Sequence, residues 1–172
     1  GYDNGKPYGK QGKILSFDNG HGMYSSYFDG KFAYAFDSLD GEANTDKLMK
    51  LRNDTSLSFP ERVQAAPWCR AKGEDWYLPA ILEVLEIRAL RDSINTKFFD
   101  YPGWGRMNCD EFWGDHAFTY WSSTELNNAE TQPDSRRAYK TNFSNVSDNR
   151  PQYYFAIGFA YEDLAVKAVK KF

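Results

Sequence analysis

Sixteen residues in the second half of the chain combine flat aromatic faces with fixed hydrogen-bonding groups. Tyr101, Trp104, Arg106, Asn108, Phe112 and Trp113 fall between Phe98 and Ala117, where hydrophobic periodicity disappears and Pro102, Gly103, Gly105 and Gly114 punctuate the chain. Asn127, Asn128, Asp134, Arg136 and Arg137 follow in or beside the polar stretch from Leu126 to Arg136. Asn142, Asn145, Asp148, Asn149 and Arg150 lie beyond. Aromatic faces stack on sugar rings or apolar surfaces, and Asn, Asp and Arg supply donors and acceptors. Tyr, Trp, Asn and Arg on loops are also the chemistry of adaptable binding surfaces. The candidate ligand contacts are Tyr101, Trp104, Arg106, Asn108, Trp113, Asp134, Arg136 and Asn142. The competing structural reading has Trp104 and Trp113 pinning a long loop to the core.

Catalysis finds less support. It needs a nucleophile beside a base, or paired carboxylates in a cleft. The chain has two histidines, His21 and His116. His21 sits in an Asn-Gly-His-Gly turn, where a solvated or backbone-bonded imidazole is expected. Asp110, Glu111, Asp115 and His116 cluster but lack the spacing of a zinc or calcium motif, and read as solvated loop charges. Gln132-Pro133-Asp134 matches the galactose-type calcium tripeptide of animal C-type lectins, so Ca²⁺ at Gln132–Asp134 is the one cofactor option. Its companion Trp-Asn-Asp strand motif is absent, and a plain polar loop is the preferred reading. We read the chain as non-enzymatic, with no resident cofactor.

Cys69 and Cys109 lack Cys-x-x-Cys spacing, which excludes a zinc knuckle or thioredoxin-type motif. They form either one disulfide, worth about 3–4 kcal/mol in the chain-entropy model, or two buried thiols.

The elements that must position these residues are legible from periodicity. The Gly- and Tyr-rich opening, Tyr8 to Phe17, ends in a short strand pattern, stopped by Asp18-Asn19-Gly20. Gly22 to Phe28 is a second strand candidate and Lys31 to Phe36 a third, joined at Asp29-Gly30. Thr45 to Arg52 reads as a short amphipathic helix. Phe59 to Lys72 reads as a second, which Pro67 should kink or divide. The strongest helix runs from Pro79, at its first position, to Ser93. Leu78, Leu82, Leu85 and Ala89 recur at helical spacing, flanked by Ile81, Val84 and Ile87, which predicts a helix sandwiched between other elements. Strands resume at Thr119–Glu125, Arg137–Ser144, Tyr153–Tyr161 and Leu164–Phe172. Helices between two groups of strands, without β-α-β alternation, make the class α+β.

Size and charge bound the rest. At 172 residues the chain fits one domain, taking ~150 residues as a soft prior, and can bury roughly 70% of its unfolded surface without staples. A net charge of −3 argues against a dedicated nucleic-acid binder. A mean hydropathy of −0.71, with no apolar run near ~18 residues, argues against a membrane span. Aromatics make up 17% of the residues, a composition that leans towards a loop-rich, strand-containing binding module and fits equally a core that is simply aromatic.

Two motifs carry a resemblance. Trp76-Tyr77-Leu78-Pro79-Ala80 with Glu83 is similar to W-x-L-P-[TA]-x-x-E-L, and Tyr120-Trp121-Ser122-Ser123-Thr124-Glu125 to Y-W-S-S-T-E. Both are motifs of the Legionella collagen-like adhesin C-terminal domain family, long described as a domain of unknown function. Val166 to Phe172 resembles that family's closing V-R-x-V-R-x-F strand. Gly12 to Leu15 and His21-Gly22-Met23 resemble its opening, and Asp40-Gly41-Glu42-Ala43-Asn44-Thr45 a D-G-x-x-N-T stretch of gut-bacterial members. The matches run in order from about residue 9 to residue 172. Val84 departs from the family's usual Leu, and Ala168 stands where some members carry Cys.

The resemblance implies a C-type-lectin-like fold with long loops, spanning 1–172 as the C-terminal module of a longer exported bacterial protein. It implies an extracellular, cell-surface or periplasmic location, and glycan or a surface protein as partner. The alternative is a structural module of a cell-envelope protein with no small ligand. Trp76, Pro79, Glu83, Trp121, Ser122 and Ser123 read as scaffold: Trp76 anchors the helix start, and Glu83 accepts from donors on the Trp121–Ser123 strand. The serine pair forms a hydrogen-bonded core network.

Overall fold

The computed structural model describes residues 5–8, 13–16, 20–24, 32–90, 119–126, 137–142, 156–159 and 164–171. Three short strands open the described chain: β1 (Gly5–Tyr8), β2 (Lys13–Ser16) and β3 (Gly20–Met23). Helix α1 (Gly41–Arg52), a 3-10 turn (Pro60–Arg62), helix α2 (Ala65–Arg70), strand β4 (Trp76–Tyr77) and helix α3 (Ile81–Ala89) follow. The chain then returns to strands: β5 (Thr119–Glu125), β6 (Arg137–Asn142), β7 (Ala156–Phe159), β8 (Leu164–Val166) and β9 (Val169–Lys171). The architecture is α+β, as the sequence pattern predicts.

The described strands form two sheets, in the orders β1-β2-β9-β4 and β3-β8-β5-β6-β7. Among the described residues, every pairing is antiparallel except that of β5 with β8. The expected closing strand Leu164–Phe172 is therefore divided. β8 and β9 belong to different sheets, and the chain turns between them at Lys167-Ala168, both buried. Ser16 holds that corner: its N–H donates to the Ala168 carbonyl at 2.9 Å, and its hydroxyl accepts from Ala168 N–H at 3.2 Å.

Every residue of β5 is buried, so this strand has core on both faces. Tyr120 packs with Leu15, Tyr77, Val84, Ile87, Ala165 and Val169, whereas Trp121 packs with Trp76, Leu78, Leu48, Cys69 and Leu164. The period-2 alternation read from the sequence is thus realised as two apolar clusters. Cys69 is buried on α2 in the Trp121 cluster, and Cys109 lies outside the described residues.

The helices differ from expectation in instructive ways. Pro67 neither kinks nor divides α2, because it occupies the helix's third position, where an N–H would have no intrahelical partner. The break comes earlier, at Val63-Gln64, where the Tyr24 carbonyl accepts from the N–H groups of Gln64 and Ala65. α1 starts at Gly41, four residues before the predicted Thr45, because Asp40 caps it by accepting from Ala43 N–H at 2.9 Å.

α3 begins at Ile81, so Pro79 stands two positions outside it. Its buried face is Ile81, Val84 and Ile87, with Glu83 also buried. Leu82 is 44% exposed, so the helix is not sandwiched. Lys31–Phe36 is not a strand over its described part, 32–36. Tyr34 has a φ of 59°, which breaks the extended run.

Glu83 joins α1, β4 and α3. Its Oε2 accepts from Gly41 N–H at 3.1 Å and Ala80 N–H at 2.9 Å, and its Oε1 from the Tyr77 hydroxyl at 2.9 Å. The expected donors on β5 are not among these three. Instead the start of α1 abuts the β4–α3 connection. A Cβ on Gly41 would lie 2.5 Å from Ala80 N and 2.7 Å from Leu78 O, so only glycine permits the approach. Glu83→Ala would leave three buried donors unpaired, and we expect it to cost about 3 kcal/mol or more. Glu83→Gln, keeping one acceptor oxygen, should fall between it and the parent. Urea denaturation of the three proteins checks this, and an Ala variant as stable as the parent would refute the hub.

Candidate functional site

The signature residues turn their polar groups inward. Ser122 Oγ donates to the Tyr139 carbonyl at 2.8 Å, and Ser123 Oγ accepts from Asn44 Nδ2 at 3.3 Å. Ser123 N–H donates to the Pro79 carbonyl at 2.8 Å, and Trp121 Nε1 to the Met23 carbonyl at 2.8 Å. Ile81 N–H, an orphan donor at the start of α3, finds Thr124 Oγ1 at 3.0 Å. The serine pair is thus the core network that the sequence predicts.

Of the expected ligand contacts, Tyr101, Trp104, Arg106, Asn108, Trp113, Asp134 and Arg136 lie outside the described residues, as do Gln132 and His116. Asn142 ends β6, where its backbone pairs with Thr119. Among the described residues, no group of three or more His, Cys, Asp or Glu could hold a metal ion. No helix there is long and apolar enough to cross a membrane.

The described residues assemble a different exposed feature. The strip 32–37 leads into α1, and motif residues from distant parts of the chain hold it. The Glu125 carboxylate, itself buried, accepts from Ala33 N–H through Oε1 at 3.3 Å and from Ala35 N–H through Oε2 at 3.2 Å. Glu125 N–H donates to the Ala35 carbonyl at 2.8 Å. A side-chain carboxylate here supplies acceptors that a neighbouring strand would otherwise provide. The Asp37 carbonyl accepts from Thr124 Oγ1 at 2.8 Å and Asn44 Nδ2 at 2.6 Å, and Asp37 N–H donates to Asn44 Oδ1 at 3.2 Å.

So held, the strip presents three rings. Phe32, Tyr34 and Phe36 have centroids 5.8–6.1 Å apart, with the Tyr34 pairs tilted or edge-on. Phe32 and Phe36 are half-buried, while Tyr34 is 66% exposed. A bulky residue in the left-handed region is uncommon, and such outliers gather where structure serves recognition. Lys47 Nζ on α1 donates to the Tyr34 carbonyl at 3.0 Å.

Beside the strip an open groove of about 940 Å³ runs along α1 into the turn after it. Phe32, Ala33 and Tyr34 form one wall. Asp46, Lys47, Met49, Lys50 and Leu51 line the other, and Asn53, Asp54 and Thr55 close the end. Sequence reasoning missed this site. Phe32, Tyr34 and Phe36 alternate as a strand face would, and no local signal reports that Glu125 replaces the neighbouring strand.

The strip ends in a charged turn. Asp37 Oδ1 accepts from the N–H groups of Leu39 at 2.8 Å and Asp40 at 2.9 Å, and these donors hold its carboxyl below the ordinary carboxylate range. At the far side Lys171 reaches Glu42 at 2.9 Å, and that bond raises the lysine's pKa.

A scan against models of known protein families finds no match, and neither does a search of curated proteins.

Two outcomes follow from this geometry. Glycine adopts the backbone of Tyr34 freely and a β-branched residue does not, so Tyr34→Gly should be more stable than Tyr34→Val by about 1–2 kcal/mol in denaturant unfolding. The reverse order would refute the left-handed conformation. Because the folded Asp37 pKa is depressed, its contribution should be complete above the unfolded value of about 3.9 and vanish as pH falls through the folded one. The Tm gap between the parent and Asp37→Asn should therefore be constant from neutral pH to about 5 and close at lower pH. A gap that widens in acid would contradict the assignment.

Proposed function

We propose that the chain is a non-enzymatic, adhesin-like recognition module of a bacterial surface protein, with a C-type-lectin-like fold, working outside the cell. What carries this reading is how the signature residues are spent. Trp76, Glu83, Trp121, Ser122, Ser123 and Thr124 are buried, and Glu83, Trp121, Ser122, Ser123 and Thr124 make the buried polar contacts described above. The hydroxyls of the serine pair meet a carbonyl and an amide rather than a base. A frame so committed leaves contact with a partner to the irregular segments.

The fold assignment draws support from the meeting of early and late strands in one sheet, β2 with β9, while the helices fold between the two strand groups. The likeness to the adhesin family rests on the motif residues. Glycan is the first ligand class and a surface protein the second, through Tyr101, Trp104, Arg106, Asn108, Trp113, Asp134, Arg136 and Asn142 together with the exposed aromatic strip.

The test is a glycan array in parallel with pull-downs from host-cell and bacterial surface preparations, using the full chain. We expect selective binding that Trp104→Ala or Trp113→Ala weakens by about tenfold or more, with the unfolding midpoint unchanged. Silence in both formats would overturn the reading and favour the assembly module.

A further inference from the structure

We propose that the groove between the Phe32–Tyr34 wall and α1 is a binding site for a neutral saccharide. The inference rests on the recognition reading above and adds to it a contact surface built from Phe32, Tyr34 and α1.

The aromatic wall comes first. A pyranose has one face of C–H groups and a rim of hydroxyls, and the C–H face packs on exposed rings. Tyr34 offers such a ring with 66% of its surface open, beside Phe32 at 6.1 Å. The wall is also preorganised. Its backbone is fixed by the buried Glu125 carboxylate at Ala33 and Ala35 and by Lys47 at Tyr34, so ligand binding would not have to order it.

The rim decides between ligand classes. Asp46 and Asp54 face Lys47 and Lys50 around the groove, two charges of each sign. Three of the four are engaged inside the protein. Asp46 is paired with Arg70, Lys47 binds the Tyr34 carbonyl, and Asp54 accepts from Ser56 N–H at 2.9 Å and Ser56 Oγ at 2.7 Å. With Arg70 counted beside its partner Asp46, Lys47 and Lys50 stand against Asp54, and one net positive charge is a weak field for selecting a densely sulfated or uronic polymer. The rim does offer side-chain amide, hydroxyl and charged groups, at Asn53, Thr55 and Lys50, for sugar hydroxyls. The volume of about 940 Å³ lies within the range of ligand clefts.

The experiment is amide chemical-shift mapping on the full chain. Maltohexaose, cellohexaose, mannohexaose and chitohexaose serve as neutral probes, and a heparin oligosaccharide as the anionic one. We expect at least one neutral probe to shift amides in 32–36 and 53–55, and Tyr34→Gly, which keeps the backbone conformation, to weaken its Kd by about tenfold or more. Preference for heparin at the same amides would overturn the neutral class. Binding that leaves these amides unmoved, survives Tyr34→Gly and falls with Trp104→Ala would overturn the groove while leaving the recognition reading intact. Absence of binding by all five probes would also overturn it, whereas the recognition reading fails only if the arrays and pull-downs are silent too.

Discussion

A single buried carboxylate holds the centre of this fold. Glu83 accepts from two backbone N–H groups and a phenol at the junction of α1, β4 and α3. Burying a carboxylate is costly unless its oxygens are bonded, and here three donors compensate it. The same contact explains the glycine at the head of α1, since any side chain there would strike the β4–α3 backbone. Helix starts that other proteins satisfy locally are satisfied here across the tertiary structure. Ala80 has no side-chain acceptor to give, so Glu83, Thr124 and the Ser38 carbonyl take the donors of Ala80, Ile81 and Leu82.

From that hub the polar core extends in one direction. Thr45 bridges the Gly41 and Leu78 carbonyls and accepts from Leu78 N–H, while Asn44 links Ser123 to Asp37. Thr124 and Glu125 continue the chain of bonds to the strip 32–37. The two sequence stretches around Asn44 and Thr124 thus meet to fix a third that neither resembles. Because buried polar groups must be paired, these residues specify one arrangement more tightly than apolar packing of similar volume would. The consequence is an aromatic edge whose backbone is tied to Glu125 and whose exposed ring, Tyr34, sits on a left-handed backbone.

Much of the frame was legible from periodicity and punctuation. β5 matches its predicted limits of Thr119–Glu125, because alternating aromatic and hydroxyl residues bounded by an irregular stretch have one extended solution. β6 and β7 fall within the predicted strands. The differences have two causes. Pro67 leaves α2 whole for a local reason, its place in the first turn. Pro79 and Leu82 follow local preference in the sequence, and contacts from distant segments decide where α3 begins and which face it buries. The strip 32–36 has the alternation of a strand, yet a glutamate 90 residues from Ala35 takes the place of its neighbour. The candidate groove was illegible for the same reason, since its two walls share no local pattern.

The α+β class, the limits of β5 and the inward role of the serine pair follow from the sequence alone, because hydrophobic period and turn chemistry act over a few residues. The face that α3 buries, the division of the last strand between two sheets, and the carboxylate that stands in for a strand beside Tyr34 were decided only on folding. Each depends on donors and acceptors brought together from distant positions, and no local preference encodes that meeting.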